Sequence, residues 1–203
     1  MITNVTKLLS IAISYQLKKI LVTTEQQFDK AVEDCKTIFL KKTNDYGTAW
    51  RVLRTISVVD QIFIKALRIR NIQSLSEQKV DDDIISEFIG IINYGAIGLI
   101  QLRLNNPVVE ELSVKQASDL YDKAILETKN VLLNKNHDYG EAWREMSQES
   151  FVDLILMKLL RVRQILNNDG KTLISEGIDA NYVDIINYAV FAMILIDEGK
   201  HKG

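Results

Sequence analysis

Between residues 151 and 163 the chain reads Phe-Val-Asp-Leu-Ile-Leu-Met-Lys-Leu-Leu-Arg-Val-Arg, an apolar run broken by a few charges. At helical spacing Lys158 and Arg161 share one face, and Lys65 and Arg68 stand in the same relation earlier in the chain. A charge on an otherwise apolar helix must be paired or must reach a solvated pocket. Two kinds of chemistry meet that demand. One is an ion pair to Asp138 or Asp153 that locks a helical bundle. The other is a cationic clamp for phosphate, in which Arg offers a fork of donors and Lys a mobile point charge. Arg70 and Arg163 fall elsewhere on the helical wheel and are expected at the surface.

A second cluster, Lys42-x-x-Asp45-Tyr46-Gly47-x-Ala49-Trp50-Arg51, returns as Lys135-x-x-Asp138-Tyr139-Gly140-x-Ala142-Trp143-Arg144. The Trp and Tyr faces suit a stacked base, Lys and Arg suit phosphate, and Asp suits a base edge or Mg²⁺. The alternative is a hydrophobic plug that caps the bundle, with Asp and Lys solvated beside it. A third cluster pairs Asp184 with Asn187, three residues on. The first copy has Gly90 and Asn93 there, with Glu87 one turn earlier, where the second copy has Asn181. An acid inside an apolar helix needs a partner, and Lys158 or Arg161 is the obvious one; Mg²⁺ held between the halves is the sharper alternative. Loss of the aspartate from the first copy marks the second as the better candidate for activity. His137 has no counterpart, since Asn44 takes its place, and is expected on the surface. The sequence holds no Ser-His-Asp or Cys-His set, no glycine-rich phosphate loop and no His-metal spacing.

These clusters recur because the chain is an internal repeat. Phe28-Asp-Lys-Ala31 returns as Tyr121-Asp-Lys-Ala124, and Asp60…Lys65 as Asp153…Lys158, at a constant offset of 93. One inserted residue later, Ile91-Ile-Asn-Tyr94 returns as Ile185-Ile-Asn-Tyr188. Each unit reads as three helices, about 25–42, 57–73 and 83–104 in the first copy and about 118–135, 150–166 and 178–198 in the second. Asp-Tyr-Gly supplies the turn after the first helix. Gly95 and Gly98, matched by Ala189 and Ala192, allow close approach and put the third helix at the centre. The expected architecture is all-α: two tandem three-helix repeats packed as a pseudo-twofold bundle, with an extra N-terminal helix. Its parts are 1–24 (extension), 25–104 (repeat 1), 105–114 (linker, holding Pro107) and 115–203 (repeat 2).

Composition sets limits on partners. The 203 residues include 25 Lys and Arg against 27 Asp and Glu, a net charge of −2, which argues against coating a nucleic acid. The lone cysteine, Cys35, cannot form an internal disulfide. Residues 1–22 lack a basic start and a cleavage site, so a packed helix is expected rather than a secretory signal or a membrane-surface helix. Phe88–Ile100 and Val183–Ile196 read as buried helices, too short to span a membrane. No membrane partner is expected, and the location expected is cytoplasmic.

The paired motifs resemble the family called nucleotide modification associated domain 1, also classed as a domain of unknown function. The resemblance covers both repeats, roughly 25–200, and the two-copy form is similar to that of Bacteroidetes-type bacteria. It implies a link to nucleotide metabolism. More distantly the chain resembles the MazG-like all-α nucleoside triphosphate pyrophosphohydrolases, which hold Mg²⁺ on helix-borne Glu-x-x-Glu and Glu-x-x-Asp motifs. Here Asn181-x-x-Asp184 and Glu87-x-x-Gly90 each carry one acid of such a pair.

The leading expectation is a protein that binds a nucleotide, or its phosphates, between helices; if it is an enzyme, the reaction is hydrolysis of a nucleoside phosphate. Lys158 and Arg161 would hold phosphate, with Lys135, Arg144 and Asn187 beside them. Trp143 and Tyr139 would shape the base pocket. Asp138 and Asp184 would position Mg²⁺ or water, and with Lys158 they are the catalytic candidates. Lys42, Asp45, Tyr46, Trp50, Arg51, Lys65, Arg68 and Asn93 would form a second or vestigial site. The rival is a helical scaffold or regulatory module whose shared charges are internal ion pairs. A Lys/Arg pair sealed against Asp favours the scaffold; a pair lining an open cleft beside Trp favours binding. Association of the fused pair into a homodimer is compatible with either.

Overall fold

A computed structural model describes residues 22–74, 83–104, 110–172, 174 and 176–202. The described helices are α1 (Thr24–Tyr46), α2 (Thr55–Ser74), α3 (Ile84–Leu104), α4 (Val114–Tyr139), α5 (Gln148–Asn167) and α6 (Ile178–Asp197). Two short 3₁₀ turns, Ala49–Val52 and Ala142–Glu145, follow α1 and α4. The described residues contain no strand, and the chain is an all-α bundle of two tandem three-helix repeats. The N-terminal helix expected over 1–24 lies almost wholly outside the described residues, as does the first half of the 105–114 linker.

Both repeats start alike. Thr23 and Ser113 accept the backbone N–H of Gln26 and Gln116, and each glutamine side chain accepts the cap residue's own N–H, a reciprocal capping box. Both first helices also run further than their sequence suggests. They carry on through Asp-Tyr and stop at Gly47 and Gly140, where φ is 65° and 64°. Polar residues alone do not end a helix whose apolar stripe is still buried, and Phe39 and Thr43 keep that stripe going in α1. A residue free to take positive φ does end it.

The halves meet about a pseudo-twofold axis, and their ion pairs are reciprocal, as such an interface requires. Arg163 reaches Asp60 at 2.7 Å, and its counterpart Arg70 reaches Asp153 at 3.8 Å. Lys129 meets Asp29 at 2.8 Å while Lys36 meets Asp122 at 2.7 Å. Arg70 and Arg163, expected at the surface, therefore bridge the repeats, and Arg163 also lies over the Phe63 ring at 4.3 Å. Pairs this exposed contribute about 0–1 kcal/mol each, so they set register more than stability.

Stability comes from the centre, where α3 and α6 pack on each other with Phe88, Ile92, Tyr182 and Ile186 fully buried. Gly95 and Gly98 are needed there because side chains of the other repeat fill their place. A Cβ at Gly95 would stand 2.7 Å from Ile186, and one at Gly98 would stand 2.7 Å from the Tyr182 ring. These helices have 21 and 20 residues and are apolar enough to cross a membrane by length and composition alone, which corrects the shorter estimate from sequence. Here they form the buried core of the bundle.

Candidate functional site

The turn after α1 folds Trp50 back toward α3 and leaves a cavity of about 530 Å³ in repeat 1. Phe39, Leu53, Ile89 and Ile97 supply apolar wall, and Tyr46, Trp50 and Tyr94 supply aromatic faces. Lys42 and Lys65 are the cations of the lining, which holds no carboxylate, histidine or cysteine among the described residues. Gly90 lets Lys65 pass: a Cβ at that position would stand 2.5 Å from the lysine Cε. The Lys65 ammonium lies 3.1 Å from Glu87, and Arg68 pairs with the other oxygen of the same carboxylate. The indole N–H of Trp50 is buried without a hydrogen-bond partner. Asn93 faces the cavity, but its amide is committed to the fold. It donates to the Cys35 carbonyl at 3.0 Å and accepts from the Tyr121 hydroxyl at 2.8 Å. Burial holds that phenol well above its ordinary range, so it stays a donor.

The same place in repeat 2 is nearly filled. Its cavity is about 150 Å³. Asp184 stands where repeat 1 has Gly90, and its two oxygens take Lys158 at 2.5 Å and Lys135 at 2.7 Å. Burial pulls the Lys135 ammonium down, but the hydrogen bond and charge of Asp184 outweigh it and leave the group above its ordinary value. Phe191, in place of Ile97, stacks on Trp143 at 4.2 Å with an interplanar angle of 8°. Trp143 is buried as a result, whereas Trp50 is only partly so. Asn187 repeats the bond of Asn93, donating to the Thr128 carbonyl at 3.4 Å, yet its side-chain oxygen is buried without a partner. The cause lies across the axis: where Tyr121 serves Asn93, its counterpart Phe28 has no hydroxyl to offer Asn187.

The expected site residues therefore scatter into distinct roles. Lys42, Tyr46, Trp50, Lys65 and Asn93 come together around the larger cavity, and Lys135, Tyr139, Trp143, Asp184 and Asn187 around the smaller. The arginines point elsewhere. Arg51 is buried and donates to Gln101, which in turn donates to the carbonyls of Arg51 and Leu53 at 3.0 Å. Arg144 ties the second turn to Glu141, to Glu198 at 2.7 Å and to Gln27 at 2.7 Å, and lies over Trp143 at 4.3 Å. Arg68 joins Glu87, and exposed Arg161 lines a separate hollow with Lys171 and Glu176. Both motif aspartates fall outside the cavities. Asp45 is exposed at the end of α1, and Asp138 is exposed beside His137 at 3.1 Å.

Asp138 and Asp184 thus have different neighbours, and Asp184 is engaged by two ammonium groups rather than open to a cation. No group of three or more His, Cys, Asp or Glu side chains suited to a metal occurs among the described residues. Among the described residues, the donors at Asp138 and Asp184 do not fit Mg²⁺. The larger cavity belongs to repeat 1, whereas the sequence pointed to repeat 2 for activity. Tyr94, Phe39 and Gly90 were missed as wall residues, although Tyr94 belongs to the repeated Ile-Ile-Asn-Tyr motif and could have been found from it.

Fold and cavity together define an all-α tandem-repeat bundle with one open and one filled copy of the same interhelical pocket. The chain belongs to the nucleotide modification associated domain 1 family, whose pattern matches it twice, at residues 42–102 and 135–196. Each match begins at the pocket lysine, Lys42 or Lys135, and runs through the turn to the third helix. No curated protein and no solved structure matches the chain.

Proposed function

We propose that this is a nucleotide-binding protein whose working site is the repeat 1 cavity. The observation that carries the reading is a cavity of about 530 Å³ whose described wall holds four aromatic residues, two lysines and no carboxylate. That volume is in the range of small-molecule sites, which are largely apolar with a few placed polar groups. Tyr46, Trp50 and Tyr94 suit a base, which presents a π face. Lys42 and Lys65 suit phosphate oxygens. The family's description as associated with nucleotide modification agrees with this. The described wall carries groups that hold and orient a ligand, and binding is the activity proposed. A cytoplasmic location goes with it.

A second reading, the scaffold, is favoured for repeat 2, where Lys158 is sealed against Asp184. On this view the protein is one binding unit and one structural unit fused.

The test is a thermal-shift screen of the intact protein against ribo- and deoxynucleotides, with and without Mg²⁺. A ligand at 100 times its dissociation constant stabilises by ~2.7 kcal/mol. Trp50→Ala should lose the shift while Trp143→Ala keeps it at a lower starting melting temperature. No shift with any nucleotide would sink the proposal.

A further inference from the structure

The two pockets have one part of their wall in common. Lys42, Tyr46 and Trp50 line the repeat 1 cavity, and their counterparts Lys135, Tyr139 and Trp143 line that of repeat 2. The repeat 1 cavity extends further, to Leu53, Gln61, Lys65, Ser86 and Ile89. Among the described residues, no counterpart of these lines the smaller cavity. Two positions of the added wall also differ in kind between the copies: Gln61 stands where repeat 2 has Leu154, and Ser86 where it has Ala180. Gln61 and Leu154 are both partly buried on the second helix of their repeats, and the leucine shows that an apolar side chain suits the place. The Gln61 carboxamide makes no hydrogen bond to any described residue. An amide taken partly out of water without a partner contributes less to the fold than leucine would. Gln61 therefore faces the cavity with its donor and its acceptor uncommitted.

We infer that Gln61 is the specificity-determining residue of the repeat 1 cavity: its carboxamide hydrogen-bonds the edge of the ligand's base. This rests on the nucleotide-binding reading and adds what selects the ligand. Aromatic faces accept any base, because every base has a π face. A lysine on phosphate does not distinguish bases either. A carboxamide does, since it sets a donor and an acceptor side by side in one plane, and a base edge with the complementary pair takes both. The ligand class is a nucleotide whose base presents a free N–H donor beside a free acceptor. A base that has lost that donor leaves the amide oxygen unpaired and is rejected. Repeat 2 lacks this means of selection, with Leu154 at the position and Asp184 holding both of its lysines.

Calorimetric titration of the full chain tests this. The probes are the adenine, guanine, cytosine and uracil ribonucleotides as 5′-mono- and triphosphates, compared at equal phosphorylation. Each is paired with a form in which N-methylation removes the donor of the Watson–Crick edge. The unmodified protein should hold its best base about tenfold tighter than its worst, and removing the donor of that best base should cost about tenfold. Gln61→Leu, which installs the residue of repeat 2, should level the four bases and bind the methylated form as well as its parent. Its melting temperature without ligand should be at least that of the unmodified protein, which separates selection from a structural role. Leu154→Gln should leave the ranking of bases as it is. The inference is overturned if the unmodified protein binds the four bases equally, if loss of the donor has no effect, or if Gln61→Leu keeps the ranking. In each of these cases nucleotides still bind and the broader reading stands. If no probe binds, both fall together.

Discussion

Below the same Asp-Tyr-Gly turn, one repeat keeps a cavity of about 530 Å³ and the other about 150 Å³. Two exchanges account for the contrast. Gly90 against Asp184 decides whether a carboxylate bridges the lysines, and Ile97 against Phe191 decides whether the tryptophan is covered. The acid itself is kept in both halves, since the second-helix lysine must be neutralised. It sits at Glu87 in repeat 1 and one turn later, at Asp184, in repeat 2. Moving an acid by one turn leaves the lysine paired but moves the carboxylate out of the pocket. A duplicated unit can in this way keep its packing in both copies while one copy stays open.

The largest effect expected is on the ion pairs. Lys158 is 5% exposed, so Asp184→Ala leaves a buried charge unpaired and should cost about 3–5 kcal/mol in urea or thermal unfolding. Glu87→Ala should cost less, about 1–2 kcal/mol, because Lys65 and Arg68 are each about a quarter exposed and can turn to water. Equal losses would break the contrast between a sealed and an open half.

Next comes the Tyr121–Phe28 difference. Tyr121→Phe removes the donor from Asn93 and should destabilise by about 1–2 kcal/mol. Phe28→Tyr places a hydroxyl toward the unpartnered oxygen of Asn187 and should stabilise by roughly 1 kcal/mol. Thermal unfolding of the two single variants and the double variant reads both signs. A destabilised Phe28→Tyr would mean that repeat 2 has no room for the bond.

The smallest effect is in acid. Repeat 2 ties its turn with carboxylates on Arg144, whereas repeat 1 ties its own with the neutral Gln101. Burial alone would raise Glu141 and Glu198, but hydrogen bonds outweigh it, from Arg144 and Thr24 at Glu141 and from Gln27 and Lys200 at Glu198, helped at Glu198 by the Arg144 charge, and both titrate below the ordinary 4.5. Their stabilisation is therefore complete above pH 4.5 and is lost as pH falls through the lowered values. It should amount to less than about 1 kcal/mol, since Glu141 is partly solvated. Glu141→Gln with Glu198→Gln should flatten the fall of melting temperature between pH 5 and 3. An unchanged slope would show that other groups govern the acid limb.

Much of this could be read from the chain alone. Matching residues 93 apart imply two copies of one unit, helical periodicity gives three helices in each, and few breakers make the whole all-α. Burial and pairing of an acid on each third helix also followed, because a charge on an apolar helix has few places to go. What sequence could not settle is which partner each charge takes. Lys158 and Arg161 share a helix face, yet only Lys158 reaches Asp184, since the α5–α6 packing sets the reach. The repeated arginines of the turn, Arg51 and Arg144, face protein carbonyls and carboxylates rather than the cavity. Most of all, the missing aspartate at Gly90 reads in sequence as a lost site. In three dimensions it leaves an open cavity, because a cavity is the absence of side-chain atoms where several helices meet, and no single helix records that.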